Sequence, residues 1–204
     1  LGSRIGPVEL PQPTNVVRTV RHAFANLPNP ETDPLHILRN PRPKSLERYK
    51  VIPEGGNRFD LMEARPDITP RCWLEKPTGS TDVMGRLWWD KPALTIRTEF
   101  FKPEKGRYLH PSKDRVITHR EAAALQTFPN DFVFKGSKIE IARQIGNAVP
   151  PLLAYHLASV IFDRLQNPVR NFKLNPTPNL KQLKKAGLLR MTGQKRMSVQ
   201  RRLL

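Results

Sequence analysis

Proline occupies 21 of the 204 positions of this chain, and no other feature limits its possible folds as tightly. Proline lacks a backbone N–H, and its ring clashes with the preceding helical turn, so long helices and interior strands tolerate few of them. The chain must therefore be built mostly from short elements and loops. Pro7, Pro11 and Pro13 make residues 1–20 extended or loop. A short helix fits residues 17–27, stopped by Pro28. Residues 28–82 read as loop-rich, with Gly55-Gly56 as a turn signal and Tyr49-Lys50-Val51-Ile52 as a short piece of strand character. Residues 94–101, bounded by Pro92 and Pro103, hold Thr, Ile and Phe and read as a strand. Pro103-Glu104-Lys105-Gly106 then turns the chain into Arg107-Tyr108-Leu109.

Helix signals sharpen after Ile117. Thr118-His119-Arg120-Glu121 has the form of a capping box, with a Thr N-cap and a Glu three residues later to return the bond. The helix it opens should cover residues 119–126, closed by Pro129. A second helix is expected over residues 138–145, ended by Gly146. A third should open with Asn147 as N-cap, since Pro150 and Pro151 cost little where the N–H groups have no intrahelical partner. Its apolar stripe, Val149, Leu152, Leu153, Leu157, Val160 and Ile161, recurs at helical spacing to about Leu165.

Charge narrows the partners. Lys and Arg total 35 against 18 Asp and Glu, for a formal net charge of +17. Such an excess points to a polyanion, above all nucleic acid. Residues 167–204 carry ten cations, among them Lys184, Lys185, Arg201 and Arg202, and no acid, which fits either a solvated extension or non-specific phosphate binding. No apolar run approaches the ~20 residues of a bilayer span. Leu1-Gly2-Ser3-Arg4 has no leader-like apolar segment, and Leu1 in place of Met reads as the start of a processed or excised piece. The lone cysteine, Cys72, rules out an internal disulfide and a cysteine zinc cluster, and suits a reducing cytoplasm.

Two segments carry a family resemblance. Arg115-Val116-Ile117-Thr118-His119-Arg120-Glu121-Ala122-Ala123-Ala124-Leu125-Gln126-Thr127-Phe128-Pro129 closely resembles the ninth conserved motif of cytosine-5 DNA methyltransferases. Gln144-Ile145-Gly146-Asn147-Ala148-Val149-Pro150-Pro151, followed by Leu153-Ala154, resembles the tenth. They occur in the family's order and at about its spacing. Upstream, Gly85-Arg86-Leu87 and Asp90-Lys91-Pro92-Ala93-Leu94-Thr95-Ile96 resemble the end of the family's target-recognition domain, and Arg48-Tyr49-Lys50-Val51-Ile52-Pro53 resembles the loop leading into it. Ala124 stands where the family usually has Arg, and Asn130 where it has Asp.

The resemblance implies an α+β, loop-rich fold. Residues 1–20 would end a catalytic-domain segment, 21–114 would form a small target-recognition domain, 115–166 would return to the catalytic domain, and 167–204 would be a basic tail. The C-terminal helices would belong to a doubly wound α/β S-adenosylmethionine-dependent domain whose main sheet is missing from this sequence. Family chemistry needs a cysteine thiolate to add to C6 of an extruded cytosine and a Glu to support it. Here there is no Pro-Cys dipeptide and no Glu-Asn-Val. Cys72, between Arg71 and Trp73, reads as a core or loop thiol, so no catalytic residue is expected in this chain.

The resemblance assigns Asn147, Ala148 and Val149 to the border of the S-adenosylmethionine pocket. Thr95 and Arg97, two apart on the expected strand, share a face and are the first DNA-contact candidates, with Arg86 a third. Trp88-Trp89 reads as core, and Arg120 and Glu121 as structural, with Arg120 bracing the junction between the domains. The expected partners are double-stranded DNA and a chain carrying the N-terminal catalytic half, in the cytoplasm of a bacterium or phage-infected cell and within a restriction-modification system. The rival expectation is a non-catalytic DNA-binding module derived from such an enzyme. Exposure of the apolar faces of residues 119–126 and 148–161 separates the two.

Overall fold

The structure, a computed structural model, describes residues 7–75 and 78–168, and the backbone of 189–191 and 197–199. Two compact units are present, Glu9–Phe162 and Leu1–Val8 with Asp163–Leu204. In the second, β3 (Leu189–Met191) and β4 (Met197–Val199) pair antiparallel. The rest of the basic tail lies outside the described residues.

Within Glu9–Phe162 the elements are short, as the prolines require. They are α1 (Val20–Phe24), α2 (Pro43–Val51), α3 (Arg58–Ala64), α4 (Arg71–Glu75), β1 (Gly85–Arg86), a 3-10 turn (Pro103–Lys105), β2 (Arg107–Leu109), α5 (His119–Leu125) and α6 (Lys138–Asn147), with α7 (Pro151–Gln166) following. β1 and β2 run parallel, and Leu109 bridges antiparallel to Val116. Val20, Tyr49, Leu61, Leu87, Ile96, Phe100, Tyr108, Ile117, Ala122 and Ile145 form one contiguous core around this small ladder.

A loop-rich core strands backbone carbonyls that would cost free energy if buried without donors. Two arginines satisfy many of them. Arg86, 4% exposed, donates to Ile52 O, Tyr49 O, His110 O and Lys113 O at 2.5–2.8 Å and to Asp114 Oδ1 at 3.0 Å. Arg107 Nη1 donates to the carbonyls of Gly55, Gly56 and Arg86, each at 2.8 Å. The guanidinium fork suits this work because it presents five donors in fixed geometry.

Several expectations are corrected here. The first helix is limited to Val20–Phe24, capped by Thr19. Tyr49–Ile52 is no strand. Pro43 opens α2 as a favoured first-turn residue, and Tyr49 and Ile52 enter the core from its last turn. Residues 92–97 form neither strand nor helix, and 98–100 turn. Ile96 is buried while Leu94, Thr95 and Arg97 are exposed. α6 continues through Gly146 to Asn147, so Asn147 ends a helix and caps none. Lys138–Gln166 has the length and composition of a membrane span, which the sequence reading did not anticipate. Ala148–Pro150 breaks it, and Ile141, Ala142 and Ile145 on its first half are core residues.

Candidate cofactor and nucleic-acid interface

α5 is fixed by the interactions its sequence promised. Thr118 Oγ1 accepts from Glu121 N at 3.1 Å, and the Glu121 carboxylate accepts from Thr118 N at 2.8 Å. Arg115 grips the same carboxylate with two bonds of 2.7 and 2.6 Å. Burial works to raise the Glu121 pKa, but the Arg115 bonds and charge hold it below its ordinary value. Arg120 donates to Asp33, and its backbone N–H to Leu35 O, tying residues 33–35 to α5. Both residues are structural.

The end of α5 is less ordinary. Thr127 takes φ 66°, a left-handed conformation that is an outlier for a β-branched residue. Its N–H bonds Ala124 O and the Phe128 N–H bonds Ala123 O, each at 2.9 Å, a Schellman cap in which glycine is the usual choice. A left-handed L-residue costs roughly 1–2 kcal/mol. The hydroxyl has a use that glycine lacks: Thr127 Oγ1 accepts from Leu152 N at 3.0 Å, in the first turn of α7. Next to it, Gln126 Nε2 donates to Ile145 O at 3.0 Å, near the end of α6.

Asn147, Ala148 and Val149 lie between those two helix ends. Gly146 lets this segment approach residues 97–98: a Cβ there would stand 2.4 Å from Thr98 N and 2.5 Å from Arg97 C. Ala148 borders a cavity of about 420 Å³ that Thr95, Ile96, Thr127, Gly146 and Pro150 also line. A cofactor candidate and a DNA candidate, Ala148 and Thr95, thus meet at one cavity although 53 positions apart in sequence. Asn147 and Val149 do not line it. Both are exposed, and the Asn147 amide makes no hydrogen bond among the described residues.

Thr95 also borders a second cavity of about 180 Å³ with Arg97, Lys105 and Arg107. Arg97 is exposed, and among the described residues its guanidinium makes one hydrogen bond, to Lys105 O at 3.5 Å. Arg86 is buried: its guanidinium is spent on the carbonyls of Tyr49, Ile52, His110 and Lys113 and on the partly exposed Asp114 carboxylate. Cys72 is neither core nor loop, being exposed on α4. Trp88 lies under Arg107 and Lys91, at 4.1 and 4.6 Å from ring to cation, while Trp89 packs against Phe24 and His110. Sequence reasoning missed Gln126, Thr127 and Asp33. The only local signal was a helix stop with Thr where Gly is expected.

The sequence profile of the C-5 cytosine-specific DNA methylase family matches residues 50–163. Type II methyltransferase M1.HphI of Haemophilus parahaemolyticus is 33% identical over 162 residues, covering 76% of this chain and 40% of that protein. Type II methylase M.HgiDII of Herpetosiphon aurantiacus is 34% identical over 171 residues, 76% and 47% respectively. Type II methyltransferase M1.BsuMI of Bacillus subtilis (strain 168) is 41% identical over 125 residues, 60% and 27%. The chain spans less than half the length of each of these relatives.

Proposed function

This chain belongs to the C-5 cytosine-specific DNA methylase family, and on that premise we propose that it is the C-terminal portion of a DNA (cytosine-5-)-methyltransferase. Its part is to select the DNA and to complete the cofactor pocket; methyl transfer needs a partner polypeptide that carries the nucleophile. The carrying observation is the uncovered apolar side of the segment that follows Gly146. Val149 is 58% exposed, Tyr155 66% and Phe162 59%, and α7 has no buried residue. A free-standing domain rarely leaves such a face in water. In the proposed assembly the catalytic sheet, which belongs to the missing length, covers it.

The residues suit S-adenosylmethionine at this edge. Asn147 offers an unspent amide, and Val149 an apolar surface, on the side that this chain leaves open. The cofactor would supply the methyl group. Thr127 already bonds an N–H in the first turn of α7, so that helix terminus has one fewer free donor for the cofactor's carboxylate. Thr95 and Arg97 face solvent beside the cationic cavity and are the DNA-contact residues of this reading. The net charge of +17 supports a polyanionic partner. No residue here is assigned to bond making. We place the enzyme in a bacterial or phage-infected cytoplasm, within a restriction-modification system.

The test mixes this chain with the polypeptide bearing the Pro-Cys and Glu-Asn-Val segments and follows labelled methyl groups into double-stranded DNA. Incorporation by the mixture alone supports the proposal. Incorporation by this chain alone, or none by the mixture, overturns it. One observation favours the non-catalytic DNA-binding module: Glu9–Phe162 has its own core, and α5 is buried within it. That reading calls for a monomeric chain that unfolds cooperatively and binds DNA unaided.

A further inference from the structure

Gln126 and Thr127 are adjacent in sequence, yet their side chains reach the ends of two different helices. The Ile145 carbonyl lies in the last turn of α6, where carbonyls lack an intrahelical donor, and Gln126 Nε2 supplies one at 3.0 Å. The Leu152 N–H lies in the first turn of α7, where N–H groups lack an intrahelical acceptor, and Thr127 Oγ1 supplies one at 3.0 Å. Between these two anchor points stand only residues 146–151, and the turn at Ala148–Pro150 is their middle. The donor and the acceptor come from one dipeptide at the end of α5, so the relative position of the two helix ends is set by the conformation of that dipeptide.

The conformation is held against its own preference. Thr127 sits at φ 66° in a Schellman cap, where glycine would be unstrained. Strain of this kind persists where the surroundings over-determine it, and it concentrates at functional sites. Glycine would keep the cap but lose the bond to Leu152. From the other side, the close approach of Gly146 to Arg97 and Thr98 presses the α6 end against the segment that carries Thr95.

We propose that Gln126 and Thr127 form a positioning clasp that fixes the α6 and α7 ends and so holds Asn147, Ala148 and Val149 in the geometry that meets the cofactor. The inference rests on the methyltransferase reading above. Gln126 is buried and Thr127 turns its hydroxyl to the α7 backbone, so both act through the segment they hold.

Thr127→Gly separates this role from a role in stability, because glycine relieves the strain while deleting the acceptor. Two readouts are needed. In the chain alone, hydrogen exchange at the Leu152 amide should be protected in the wild type and in Thr127→Ser, and unprotected in Thr127→Gly, with no fall in the thermal midpoint of Thr127→Gly. In the reconstituted enzyme, Thr127→Gly and Gln126→Met should raise KM for S-adenosylmethionine by roughly tenfold or more while kcat at saturation stays within about twofold, and Thr127→Ser should behave as wild type. Retained protection at Leu152, unchanged KM, or a loss that tracks unfolding in Thr127→Gly overturns the clasp. An inactive wild-type mixture has a different signature: it removes the methyltransferase reading and the inference with it.

Discussion

The Arg120 guanidinium donates to the Asp33 carboxylate at 2.5 and 3.3 Å across 87 positions of sequence, and both side chains are nearly fully buried. Burial alone would raise the Asp33 pKa, but the Arg120 bond and charge hold it below its ordinary value. Asp33→Ala leaves that cation without its partner and is expected to destabilise the chain by about 3–5 kcal/mol. Urea denaturation checks this; a loss below about 1 kcal/mol shows that the pair does not anchor residues 33–35 to α5.

His110 predicts a pH dependence. It is 4% exposed, stacked on Phe24 and edge-on to Trp89. Burial, helped by the nearby Arg115, Lys113 and Arg86 charges and opposed by Glu121, lowers its pKa from 6.5 to about 4. Its Nδ1 accepts from the N–H groups of Ser112 and Lys113. A depressed folded-state value means that the unfolded chain takes the proton first. The contribution is complete above pH 6.5 and is lost as pH falls from there to about 4. The expected loss is roughly 3 kcal/mol. Denaturation midpoints of the wild type and His110→Gln between pH 7 and 4 read it. Parallel slopes would show that His110 is not the titrating group. Glu121, also held low, acts in the same direction as pH falls through its own folded value.

Gly146→Ala should disturb the segment that carries Asn147, Ala148 and Val149 directly. The new Cβ would lie 2.4 Å from Thr98 N, against backbone that cannot rotate away. Overpacking of this kind costs about 1–3 kcal/mol. In the helix interior the same exchange ordinarily stabilises by up to ~1 kcal/mol, so the sign is diagnostic. A stabilised Gly146→Ala in a thermal melt would mean that α6 does not press on residues 97–98.

Arg86 and Arg97 should respond oppositely. Arg86→Ala strands the buried carbonyls of Tyr49, Ile52 and His110, at a cost of roughly 1–3 kcal/mol for each group left dry. The variant should recover little folded protein from expression. Arg97→Ala should change stability by less than about 0.5 kcal/mol and lower the log–log salt dependence of DNA binding by about 0.9 if the side chain meets a phosphate. An Arg97→Ala titration identical to wild type across salt concentrations removes Arg97 from the interface.

The sequence carried the local half of this protein. Thr118 and Glu121 sit three residues apart, and their reciprocal bonds are made wherever the helix is, so the cap at α5 was readable without a fold. Proline density set element length for the same reason, since it acts within one turn. The two motif segments were readable as patterns, and the profile match at 50–163 contains both. Tyr49–Ile52 was misread because a four-residue apolar run looks alike in a strand and in the last turn of a helix, and only packing on the core separates them.

Tertiary structure alone decided which charges are buried. Arg86 and Arg97 are the same residue type, eleven positions apart, in a chain of net charge +17. One satisfies carbonyls 24–37 positions away and the other faces water. Gly146 reads as a helix stop from local preference, yet α6 runs through it, because glycine is used there for close approach to Thr98. Thr127 in a glycine conformation makes sense only once Leu152 is beside it. Bonds within a helical turn are encoded by neighbours in the chain. Orphan carbonyls, close approaches and helix ends find their partners only when distant segments are packed together, and residue types alone do not specify that pairing.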